Sequence, residues 1–322
     1  MRIRSILAAL MLFAFAASPV SGQDYPSKPV RLVVGFTAGG IADLGARLLA
    51  DYITRQTGQV VIVENRATAA GTIAAQAVAK APPDGYTLGV VLNGQLAINP
   101  FVQKAFPFDA LKDLVPVAAI DEAPQMIAIN AGVPAKTLKE FVALARAKPG
   151  AMSYASTGFG SLPHLSAAEF VRMAGIDLVH VPYKGNQPAT ADLLGGQVQL
   201  LSSSIGGLRA GLDAGRIRLL LTATKERLAI TPDVPTSAEA GVPGYLMTVW
   251  MGVVAPTGTP KPVVDRIHAL VQGMLKEETT LKRMAGAALE PMRMSQPDFS
   301  AFVQDEYVKW QKIVKDAGVE PQ

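Results

Sequence analysis

The constraint that dominates this chain is a repeated change of hydrophobic period. Strand-length runs of branched apolar residues, VRLVV at 30–34, VVIVE at 60–64 and YTLGVVL at 86–92, alternate with longer stretches of helical spacing. Between the first two runs, Ile41, Leu44, Leu48, Leu49, Tyr52 and Ile53 recur every three or four positions and leave Asp43, Arg47, Asp51 and Arg55 on the other side. That is βαβ patterning, which implies an α/β fold with mainly parallel sheets, helices on both faces and right-handed crossovers.

A second series follows APQMIAINAGVP: a helix over 138–147, MSYAS at 152–156, a helix over 163–173, LVHVPY at 178–183, a helix through Leu194, VQLLSS at 198–203 and IRLLLTAT at 217–224. The remainder, VWMGVVAP and helices over 262–276 and 297–315, is too small for a third domain and is expected to complete the first. The expected organisation is a leader over 1–22, one discontinuous lobe over 23–124 and 241–322, and a second lobe over 125–240. Two lobes joined by two chain crossings place a ligand cleft at the carboxyl ends of their parallel strands.

The leader reading rests on Arg2 and Arg4 preceding an apolar run over 6–17, with small residues after it. That run is shorter than the roughly 18 residues a membrane span needs and suits a secretory signal cleaved near Gly22. The chain would then be exported. Its formal charge of +4, two units of it from Arg2 and Arg4, gives no footprint for nucleic acid. The absence of cysteine removes disulfides, thiolate metal sites and cysteine nucleophiles. His164, His180 and His268 stand in no metal-binding spacing, so neither metal nor cofactor is expected.

The turn GFTAGGIAD at 35–43 looks at first like a nucleotide loop, but it is neither GxGxxG nor Gly-Lys-Ser/Thr. What survives is a strand end, glycines that permit close approach, and a helix N-terminus suited to an anion. Other strand ends repeat this chemistry. ENRATAAGT brings Thr72, LNGQ brings Asn93 and Gln95, ASTGFGS brings Ser156, Thr157, Gly158 and Ser161, and VPYKG brings Tyr183, with Lys184 read as a solvated charge. The pattern describes an anion-binding cleft with little acid–base machinery.

These segments carry a likeness. YPSKPVRLVVGFTAGGIAD, VVIVENRATAAGTIAAQAVAKAPPDGYTL, PHLSAAEFVRMAGIDLVHVPYKG and PDVPTSAEAGVPGY, in this order, resemble the periplasmic solute receptors of the tripartite tricarboxylate transporter (Bug) family over nearly the whole mature chain. The resemblance implies a two-lobed periplasmic-binding-protein fold (type II, Venus-flytrap) closing on a small carboxylate. It also implies periplasmic location, a monomeric receptor, and delivery of cargo to inner-membrane transporter subunits. Carried over by position, Phe36, Thr37, Ala38, Gly39 and Gly40 form the first anion loop and Ala70, Gly71 and Thr72 the second. Ser156, Thr157, Gly158 and Ser161 answer from the other lobe with Tyr183. Two departures stand out: FTAGG replaces the family's FPPGG, and Ser202 and Ser203 stand where Phe-Asp is frequent. Losing that acid disfavours an amino-acid ligand and leaves a di- or tricarboxylate or an aromatic acid, with Ser203 among the contacts.

The same residues carry blander readings. Asp43, four positions before Arg47 in a first helical turn, is explained by helix stabilisation. His180 reads as a satisfied interior histidine and His164 as a helix-start residue. Met126, Met247 and Met251 read as packing, and Trp250 as core or hinge. The competing function is an exported hydrolase or lyase with Ser156 or Ser161 as nucleophile and His164 as base, but no GxSxG or SxxK motif surrounds them.

Overall fold

A computed structural model describes residues 25–67 and 69–321. The leader expected over 1–22 lies outside the described residues. The first half of the chain contains β1 (Val30–Val34), α1 (Ile41–Thr57), β2 (Val61–Asn65), α2 (Thr72–Ala79), β3 (Thr87–Leu92), α3 (Asn99–Val102), β4 (Leu114–Asn130), α4 (Leu138–Ala147) and β5 (Ser153–Ser156). The second half contains α5 (Leu162–Ala174), β6 (Val179–Pro182), α6 (Asn186–Gly195), β7 (Leu200–Ser204), α7 (Ile205–Asp213), β8 (Ile217–Thr222), β9 (Thr248–Pro256), α8 (Lys261–Met274), α9 (Glu278–Gly286), β10 (Glu290–Pro291) and α10 (Gln296–Asp316).

Local chemistry sets several of these limits. α1 carries Asp43 in its first turn and Arg55 in its last, complementing the helix dipole, and stops at Gly58 in the left-handed region (φ 71°). At α4 the Thr137 hydroxyl accepts the Glu140 N–H while the Glu140 carboxylate accepts the Lys136 N–H, a reciprocal cap displaced by one residue from the usual box.

The strands run in the order β2-β1-β3-β9-β4-β7-β5-β6, with β10 and β8 also pairing along β4. β1 lies between β2 and β3, parallel to both, and β5 lies between β6 and β7, parallel to both. The inner strands are antiparallel: β9 against β3 and β4, and β7 and β8 against β4. The expectation of two mainly parallel sheets is therefore refined to two mixed ones. Each is parallel in its outer βαβ part and antiparallel where strands cross between the halves.

β4 is the shared element. It pairs with β9 from Leu114 to Pro124 and with β7 from Gln125 to Ile129, so the chain changes sheets at Pro124 and Gln125. The return lies beside it: the Gln125 N–H donates to the Met247 carbonyl, the Met247 N–H to Ala223, and β9 begins at Thr248. Val242, Tyr245 and Met247, just before this return, pack in the second half's core. α10 belongs to both halves. Phe299 and Val303 pack with Trp250 and Val33, whereas Trp310, Ile313 and Val314 pack with Phe141, Phe170 and Leu165. Glu306 lies between them, its Oε2 accepting both the Trp250 and Trp310 indole N–H groups at 3.0 Å.

Candidate functional site

Three strand ends of the first half meet over one buried amide. A side chain at Gly35 would strike Gly71 and Gln95, and one at Gly71 (φ 82°) would strike Gln95. Glycine at both positions is what lets these backbones touch. Gln95 is fully buried beneath them; its Oε1 accepts the Leu92 N–H at 2.9 Å and its Nε2 donates to the Gly71 carbonyl at 3.0 Å. Asn93 donates to the Thr248 carbonyl at 2.9 Å, tying the end of β3 to the return crossing. Thr72 is buried, bonded to Asn99 at 2.9 Å and Gln103 at 3.2 Å. The side chains of Thr72, Asn93 and Gln95 thus shape the loops from below, while Thr37, Ala38, Gly39, Gly40 and Ala70 are exposed and Phe36 is half-buried.

Asp43 holds the first loop. Its Oδ2 accepts the Gly39 N–H at 2.9 Å and Arg47 Nε at 2.8 Å, while its Oδ1 accepts Asn65, which also donates to the Phe36 carbonyl. The Arg47 hydrogen bond, with help from Gly39 and Asn65, holds the buried carboxyl below the usual aspartate range. The Gly39 amide is spent on this brace, while Gly40 precedes α1 in extended conformation and the helix start has no side-chain cap.

In the second half Ser156 ends β5 fully buried, its Oγ accepting the Gly158 N–H at 3.1 Å and sitting 2.7 Å from His180 Nε2. Ser161 donates to the Gly158 carbonyl at 2.7 Å and caps α5 through the His164 N–H. His164 Nδ1 accepts the Gly160 N–H at 3.1 Å, which fixes the neutral imidazole. The two imidazoles stack 3.9 Å apart at 9°. Burial, reinforced by His180, pushes His164 down to about 4, and burial lowers His180. Thr157 and Gly158 remain half-exposed.

Tyr183 follows β6 next to this loop, its carbonyl 3.8 Å from where a Gly158 side chain would begin. Its hydroxyl donates to Asp192 at 2.6 Å, and burial with that bond pushes the phenol up to about 12. Ser203 lies against Asn186 at 3.4 Å, whereas Ser202 points into the core to bond Ser166 at 2.7 Å beside Tyr245. Ser202 therefore faces the core and Ser203 the neighbouring helix start.

The halves meet beside these loops. A side chain at Gly160 would come within 3.2 Å of Val102, and the next residue, Gln103, bonds Thr72. Helices α1, α2, α6 and α7 all start at carboxyl strand ends without side-chain caps. Asn186, Ser204 and Ile205 at the last two starts escaped the sequence reading, although each follows a strand in the same pattern. Segments 36–40, 69–72, 156–161 and 203–205 contain no charged residue. Among the described residues no cluster of three or more His, Asp or Glu could hold a metal ion, and no helix is long and apolar enough to cross a membrane.

Two α/β halves joined by crossing strands, with uncapped helix starts at their strand ends, have the architecture of a two-lobed periplasmic binding protein. The match to the receptor family of tripartite tricarboxylate transporters over residues 45–319 establishes that the chain belongs to that family. A UPF0065 protein of Bordetella bronchiseptica is 37% identical, spanning 99% of this chain and 94% of its own length. The R. palustris protein Rpa4515, solved with adipate, is 35% identical with a TM-score of 0.78, covering 92% of this chain and 100% of that one. MatC from Rhodopseudomonas palustris, solved with bound malate, is 32% identical with a TM-score of 0.74, covering 90% and 100%.

Proposed function

We propose that this chain is a periplasmic receptor that takes a small organic carboxylate between its two lobes and presents it to the membrane subunits of a tripartite tricarboxylate-type transporter. The observation that carries this reading is the gathering of uncapped helix starts and uncharged hydroxyl-bearing loops along one edge of both sheets. Each helix start is equivalent to roughly half a positive charge, which suits a carboxylate without a lysine or arginine ligand. The relatives solved with adipate and malate support the same ligand class.

The hinge would be the paired crossings at Pro124–Gln125 and Met247–Thr248. Ligand held by both lobes stabilises the closed form only by its greater affinity for that form. A hydrolase reading gains a Ser156–His180 contact, but the Ser156 hydroxyl is fully buried and already holds Gly158.

The test is calorimetric titration of purified protein with aliphatic, hydroxylated, aromatic and tricarboxylic acids, with mass spectrometry of the recovered acid. Binding of at least one acid, returned chemically intact, is expected. A Gly40→Val variant should keep its melting temperature, because the added carbon meets only the Thr37 carbonyl at 3.5 Å. It should nevertheless lose affinity, since a branched side chain there covers the start of α1. Unchanged affinity would remove α1 from the site, and failure of every acid would remove the carboxylate reading.

A further inference from the structure

Phe159 is the one mostly exposed aromatic side chain among the described residues, at 62% of its surface. It sits at the tip of the 156–161 loop, between Gly158 and Gly160, and is held in place despite its exposure. Its ring meets His180 edge-on at 4.9 Å and 84° and His164 at 5.5 Å and 80°. The stacked imidazoles form a flat platform beneath it, and the Gly160 and Ser156 hydrogen bonds fix that platform to the loop's own backbone. An aromatic ring held towards solvent at a cleft-facing strand end is the kind of side chain that lines small-molecule sites.

The other lobe carries a counterpart. Ile73, directly after Thr72 in the first turn of α2, is 45% exposed although Thr72, Ala74 and Ala75 are buried. The two side chains are linked by a short path. Phe159 adjoins Gly160, which abuts Val102; Gln103 follows Val102 and bonds Thr72, the neighbour of Ile73. Each is thus next in sequence to a residue at this junction, Gly160 in one half and Thr72 in the other.

Charge sets the second limit. Segments 36–40, 69–72, 156–161 and 203–205 have no cationic residue, Lys184 beside Tyr183 is the lysine of the neighbouring turn, and the nearby Arg66 is paired with Glu64 at 2.6 Å. Partial charges at helix starts suit one or two carboxylates and leave a third uncompensated.

Accepting the receptor reading above, we propose that Phe159 and Ile73 are the specificity-determining apolar walls of this cleft, and that its ligand is a mono- or dicarboxylate with an unhydroxylated aliphatic or aromatic body. The carboxylate is received by amides and hydroxyls, and closure brings the two apolar walls onto the carbon skeleton. A polyhydroxylated acid of the same length would strand its hydroxyl groups against those walls, where no partner replaces water.

The test uses hexanedioate and its tetrahydroxy analogue galactarate, equal in length and charge, with benzoate and citrate, each titrated calorimetrically into wild type, Phe159→Ala, Phe159→Ser and Ile73→Ala. Hexanedioate or benzoate is expected to bind roughly tenfold or more tightly than galactarate and citrate, and each variant to weaken that preferred acid by about ten- to hundredfold. Both side chains are exposed, so the variants should melt with wild type, and a circular-dichroism melt verifies this. Galactarate or citrate binding as tightly as hexanedioate and benzoate, or variants with wild-type affinity, overturns this inference while the receptor reading stands. Failure of all four acids and of the wider panel overturns both.

Discussion

Replacing Glu306 gives the sharpest test of how the two halves are held together. Its Oε2 receives two indole N–H groups, one from Trp250 in the first half's core and one from Trp310 in the second's, and both tryptophans are fully buried. Its Oε1 pairs with Lys309. In Glu306→Ala the indole donors of two fully buried tryptophans lose their acceptor, at about 1–3 kcal/mol for each stranded donor. The loss should total roughly 3–5 kcal/mol, which for a chain of this size corresponds to about 5–10 °C in melting temperature. Glu306→Gln separates hydrogen bonding from charge. Because a single oxygen accepts both indoles, a glutamine carbonyl can replace it, and only the Lys309 pairing is lost, for about 1–2 kcal/mol. The assay is thermal and urea unfolding of wild type, both variants and Lys261→Ala, whose exposed pairing with Asp265 should matter by less than about 1 kcal/mol. If Glu306→Ala melts within a degree of wild type, or if alanine and glutamine cost the same, the shared oxygen is not what joins the two cores.

Two buried groups should give stability opposite dependences on pH. His164 titrates near 6.5 unfolded and about 4 folded, so the unfolded chain binds more protons between those values. Its contribution is complete above 6.5 and is lost as pH falls through 4, on the order of 3 kcal/mol. His164→Asn, whose amide oxygen can accept the Gly160 N–H, should flatten that acid limb in melts from pH 4 to 7; an unchanged slope would count against the neutral pair. Asp121 is buried with Oδ2 unpartnered, and burial, aided by Glu122, pushes it up to about 8 from 3.8. Here the folded chain holds the extra proton, so stability is greatest below 3.8 and declines as pH rises through 8. Asp121→Asn should therefore gain on wild type progressively from pH 5 to 8.5, and a gap in melting temperature that does not widen would show the carboxyl to be hydrated.

The βαβ pattern was legible because burial writes itself into period. β1 is apolar nearly throughout because helices cover both its faces, and α1 shows its buried stripe as Leu48, Leu49 and Ile53. The cleft loops were legible for a related reason: a parallel strand must end where its helix begins, and glycine, serine and threonine mark that junction. β4 was not. Its apolar stretches at 114–120 and 126–129 are separated by Asp121, Glu122, Pro124 and Gln125, and nothing local says that one strand runs through them and serves two sheets. Local sequence is equally silent on α7 and α9, short helices with weak signals.

At the site, the sequence pointed to these loops without knowing which atoms they present. Gln95 and Thr72 carry the polar groups expected of ligand contacts, yet both are buried and bonded to other loops, because packing three backbones together consumed them. Phe159 and Ile73 read as ordinary apolar residues, and only the placement of their neighbours leaves them outside. The chain alone determined the α/β class, the strand ends and the neutral character of the loops, since these follow from periodicity and residue chemistry along contiguous segments. Which amides stay free, which side chains face solvent, and where the strands cross between halves were decided by tertiary structure, because each depends on contacts between residues tens to hundreds of positions apart.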